Sequence, residues 1–96
     1  MLIKLTEVLS PGVVLSEQKF LLREVFVNPE HVVMIREEAR MRQLNKEGLL
    51  PANLNRDHQF SKITINRGQT GTEIVVVGSP ELIETKLKAN KKLLRG

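Results

Sequence analysis

The sequence predicts a single α+β domain spanning residues 1–96, with a small curved antiparallel sheet, or partly open barrel, of about five strands and a C-terminal helix. Three observations predict it. Residues 72–77, Thr-Glu-Ile-Val-Val-Val, form a β-branched run that is apolar on both faces, as expected of a strand covered on two sides. Gly78-Ser79-Pro80 stops that run, and beyond it the apolar spacing becomes helical. Upstream, short alternating runs are separated by Pro, Gly and Asn, the residues that reverse a chain.

Residues 2–9 make the first strand, with Leu2, Lys4 and Thr6 on one face and Ile3 and Leu5 on the other. Ser10-Pro11-Gly12 is a turn, and Val13 to Leu15 reads as a short strand or edge segment. Residues 20–27 are the second main strand. Leu21, Arg23, Val25 and Val27 share one of its faces; Phe20, Leu22, Glu24 and Phe26 share the other. Asn28-Pro29-Glu30 is a turn and residues 31–36 restart as strand, so a hairpin between these two runs is expected. Residues 60–66 alternate through Phe60, Ile63 and Ile65, and the glycines of residues 67–71 reverse the chain into the 72–77 run. Ser79 is the N-cap of the final helix and Pro80 its first residue. Leu82, Ile83, Leu87 and Leu94 give that helix an apolar stripe, and its charge runs from Glu81 and Glu84 to a basic end, complementing the helix dipole.

Residues 37–58 differ from their surroundings. They hold good helix formers, and Met34, Met41 and Leu44 could form a stripe, but the segment is heavily charged and broken by Gly48 and Pro51. It reads as a long excursion between two strands that would otherwise be hairpin neighbours, and connections of this length are often functional.

Composition narrows the function classes. The chain has no Cys, which excludes disulfides and thiolate metal sites and fits a reducing, cytoplasmic setting. No apolar run approaches the roughly 20 residues of a membrane span, and the first residues lack the pattern of a signal peptide. His31 and His58 form no helical metal motif, and no serine lies in a nucleophile elbow. No catalytic residue, metal site or cofactor is therefore expected.

Three binding readings stand. Met41, Leu44, Leu49, Leu50 and Leu54 are apolar residues in a polar excursion; they either dock onto a protein partner or another copy of the chain, or fold back as a lid on the sheet. The leading expectation is an interaction module that self-associates and engages a partner through this excursion. Arg36, Arg40, Arg42, Lys46, Arg56, Lys62 and Arg67, in a chain of formal net charge +4, could instead track nucleic-acid phosphates. Only three Phe are present to stack on bases, and Glu37, Glu38, Glu47 and Asp57 dilute the patch. Thirdly, Gly78 and Ser79 precede a helix N-terminus and could hold an anion or small nucleotide at a subunit interface, although Pro80 removes one donor.

Residues 1–6 (Met-Leu-Ile-Lys-Leu-Thr), 25–35, 62–68 and 73–84 together resemble the FlbD-like, SwrD-like family of small flagellar-associated proteins. Family members look like a short β meander followed by a helix. Small phage-encoded proteins of unassigned role look similar in the same way. The likeness covers about half the chain, and two stretches, Leu9 to Lys19 and 37–58, are longer than the family's tight turns. It implies a non-enzymatic accessory protein or regulator that acts through contacts, and it carries over no catalytic residue.

Overall fold

The computed structural model describes residues 2–9, 20–51, 54–68 and 70–95, and only the backbone of 67, 70 and 90–95. The proposed turn at Ser10-Pro11-Gly12 and the short strand from Val13 to Leu15 lie outside these. The elements are β1 (Ile3–Leu9), β2 (Leu21–Val27), a 3-10 turn (Pro29–His31), β3 (Val32–Glu37), α1 (Ala39–Lys46), β4 (Phe60–Arg67), β5 (Thr70–Val77) and α2 (Pro80–Arg95). One antiparallel sheet holds all five strands in the order β2-β1-β5-β4-β3.

That order corrects the expected hairpin between β2 and β3. The two strands are the opposite edges of the sheet, although only residues 28–31 separate them. Every ladder is antiparallel, so β2 and β3 run in the same direction and so short a link cannot pair them. The link also bends the sheet. Four inter-strand gaps span about 19 Å in a flat sheet, whereas the five peptide steps from Val27 to Val32 reach at most about 18 Å fully extended. Part of that reach is lost to the 3-10 turn, where the Asn28 side chain accepts from the Glu30 N–H at 2.9 Å and the His31 N–H donates to the Asn28 carbonyl at 3.0 Å. The sheet therefore curls into a trough that stays open between β2 and β3.

Both faces of β5 are covered, as its sequence predicts. On the concave face Ile83 and Leu87 of α2 pack with Leu5, Val27, Ile63 and Val76, flanked by Ile35, Ile65 and Ile74. On the other face Val75 and Val77 pack with Val8, Phe60 and Leu50. α2 starts as its sequence dictates, with the Ser79 hydroxyl accepting from the Leu82 N–H at 3.2 Å. Leu82 leaves the expected stripe and faces solvent, while Ile83 and Leu87 make the buried one. The expected Met34–Met41–Leu44 stripe does not form, because Met34 belongs to β3 and the other two to α1.

Candidate functional site

The excursion of residues 37–58 carries α1 and then returns to β4, whose partner in the sheet is β3. Its apolar side chains lie against the convex face. Leu50 is only 3% exposed, and Met41, Leu44 and Leu54 are partly buried beside it around Phe60. Leu49 stands at the margin with 36% exposure. Of the two arrangements open to these residues, Met41, Leu44, Leu50 and Leu54 are placed as a lid on the sheet, and Leu49 is the most exposed of the five. Two polar contacts hold the lid down. Asn45 is buried, and its Nδ2 donates to the Asn55 carbonyl at 2.9 Å. The Phe20 N–H donates to the Leu49 carbonyl at 3.2 Å, tying the start of β2 to the same segment.

The basic residues do not assemble into one open track. Arg36 pairs with Glu73 at 3.3 Å, Lys62 with Glu38 at 3.3 Å and Arg42 with Glu37 at 3.7 Å. Among the described residues, no ion pair engages Arg40, Lys46 or Arg56, and the Arg56 guanidinium lies over Gly48. Arg67 closes β4, and its side chain lies outside the described residues. A phosphate backbone would have to compete with three carboxylates already in place.

Gly78 and Ser79 likewise have their polar groups engaged. The Gly78 N–H donates to the Gln59 carbonyl at 2.7 Å, its carbonyl accepts from the Ser61 hydroxyl at 2.8 Å, and the Ser79 hydroxyl caps α2. These bonds fix the β5–α2 corner. Among the described residues no cluster of His, Asp or Glu could hold a metal ion, and no helix is long and apolar enough to cross a membrane.

Apolar side chains remain exposed at both edges of the sheet, Leu21 and Phe26 on β2, each 59% exposed, and Val33 and Met34 on β3. The β3–β4 register slips between Val32 and Met34, a bulge that places an extra residue in the edge strand. As a result Val33 and Met34 both face solvent, 60% and 48% exposed. Beside them a groove of about 360 Å³ runs between β3 and α2, with Val32, Ile35 and Leu87 on its walls and Glu84 and Lys88 on its rim. Those two rim residues pair with each other at 3.3 Å. In the sequence Val33 reads as an ordinary member of the expected hairpin, and Met34 as part of a Met34–Met41–Leu44 stripe. The visible signal was an apolar run without a guarding charge: residues 32–35 carry none, whereas β2 has Arg23 and Glu24 at its centre.

The architecture defines a class, a small α+β domain with a half-open antiparallel trough. No protein-family model matches the chain, and comparison with curated proteins and with solved structures likewise finds no match.

Proposed function

We propose that this chain is a non-catalytic interaction module that self-associates through the free edge of β3. The observation that carries the reading is the outward placement of Val33 and Met34 on an edge strand with unpaired backbone groups. Edges of this kind template pairing with another chain, and monomeric proteins usually guard them with charge. Two copies of one strand related by a two-fold axis meet antiparallel, which matches every other ladder in this sheet. The groove between β3 and α2 accommodates side chains of the incoming strand, so backbone hydrogen bonds and apolar contact act together. An accessory role acting through contacts is also what the resemblance to small flagellar-associated proteins implies.

Sedimentation velocity over a wide concentration range tests the reading. The native chain is expected to dimerise, and Val33→Lys to remain monomeric with an unchanged circular dichroism spectrum. A native chain that stays monomeric at every concentration sinks it.

A further inference from the structure

Three polar side chains are buried among the described residues: Asn45, Ser61 and Glu7. The first two bond backbone carbonyls and hold segments together. Glu7 does neither. It projects from β1 onto the concave face, 7% exposed, and its Oε1 accepts from Arg23 Nε at 3.1 Å. Only the carboxylate of this pair is buried, and its desolvation offsets much of what an ion pair to a largely exposed guanidinium contributes, so stability alone is a poor reason for it here.

The pair lies in a cleft of about 580 Å³ that opens where the sheet fails to close. Val25 and Val27 of β2 form one wall, Ile65 and Ile74 of the β4–β5 pair form the other, and His31 lies at the turn that joins the two edges. The lining is mixed, with Asn28, His31 and Thr72 adding polar groups to the Glu7–Arg23 pair, and a cleft in which polar groups converge beside apolar walls is a form that small-ligand sites take. The polarity within this one is directional. Glu7 holds Arg23 by Nε, the inner edge of the guanidinium, and the Arg23 side chain is largely exposed. With Nε engaged, the terminal nitrogens have no ion-pair partner among the described residues, and that forked edge of a guanidinium matches a carboxylate or phosphate in two parallel hydrogen bonds.

We infer that this cleft binds a small organic anion with an apolar body, whose charged group sits on the Arg23 fork and whose body lies between the β2 and β4–β5 walls. Glu7 is a positioning residue that orients the fork. No residue of β3 lines this cleft, it shares no lining residue with the groove beside that strand, and the inference does not rest on self-association.

Fluorescence titration with anilinonaphthalene sulfonate, an aromatic anion small enough for the cleft, tests the inference. The native chain is expected to bind one probe saturably. Decanoate displaces the probe, and decanol, which lacks the charge, does not. Arg23→Lys keeps a cation beside Glu7 but loses the fork, and weakens binding about tenfold or more. Ile74→Phe narrows the cleft without touching the ion pair and also weakens it, with circular dichroism confirming that each variant folds. Val33→Lys leaves the titration unchanged, so failure of the self-association reading would not be mistaken for failure of this one. Non-saturable binding, indifference to Arg23→Lys, equal displacement by decanol, or loss in Val33→Lys would each overturn the inference.

Discussion

The Asn45 side chain donates to the Asn55 carbonyl at 2.9 Å, and this bond joins the end of α1 to the returning segment of the excursion ten residues later. Asn45 is almost fully buried, while Asn55 is exposed. In Asn45→Ala both the bond and part of the packing are lost, and such a bond contributes about 0.5–1.5 kcal/mol. Urea denaturation is expected to show that loss. A change smaller than a few tenths would mean that the excursion is not held by this contact.

Leu49 and Leu50 separate the two roles open to the excursion. If it is a lid, Leu50→Ala removes a buried side chain from the Phe60 cluster and costs about 2–5 kcal/mol. Leu49→Ala, at the exposed margin, should change stability by less than about 1 kcal/mol. Paired thermal melts decide the matter. Equal effects at the two positions would contradict the packing.

Gly78 adopts φ +127°, a conformation that side chains resist, and a Cβ there would stand 3.1 Å from Ile83 Cδ1 and 3.2 Å from Leu82 Cδ2. Gly78→Ala therefore strains the backbone and presses on the buried residue of α2, for a cost of about 1–3 kcal/mol. Chemical denaturation measures it. The expected companion is a shift of α2, visible as changed methyl resonances of Ile83 and Leu87. A neutral substitution would show that the β5–α2 corner relaxes freely.

The fold class was legible because its signals are local. The run at 74–77 announces two cover layers through composition alone, and Ser79-Pro80 marks a helix start by chemistry that acts within one turn. The pairing of edges was not legible. Asn28-Pro29 looks like a hairpin turn, but whether it closes a ladder depends on how many strands lie between β2 and β3 along the other route. That count is set by β1 reaching β5. The candidate surface was hidden for the same reason. Leu50 and Val33 both sit in short apolar runs, Leu49-Leu50 and Val32-Val33-Met34, and only the completed sheet makes one a lid and the other an edge. The Glu7–Arg23 pair spans 16 positions and appears in no local pattern.

Backbone protection should follow the uneven neighbours of β5. β4 pairs along its whole length, from Phe60 opposite Val77 to Arg67 opposite Thr70. β1 reaches it only at Val76 and Val75, opposite Glu7 and Val8. The C-terminal half of β5 thus has a strand on each side, with α2 over one face and the lid over the other. Its N-terminal half has one strand neighbour, and Thr72 and Ile74 border the open cleft. Native-state hydrogen exchange is expected to find the amides of Val75 and Val76 opening only with global unfolding, and those of Thr72 and Glu73 opening by smaller local fluctuations. The contrast depends on the trough rather than on β-propensity, which is if anything uniform from Ile74 to Val77. If Thr72 and Glu73 are as slow as Val76, the cleft is filled or closed in solution. The open edge between β2 and β3 would then be a property of some other state of the chain.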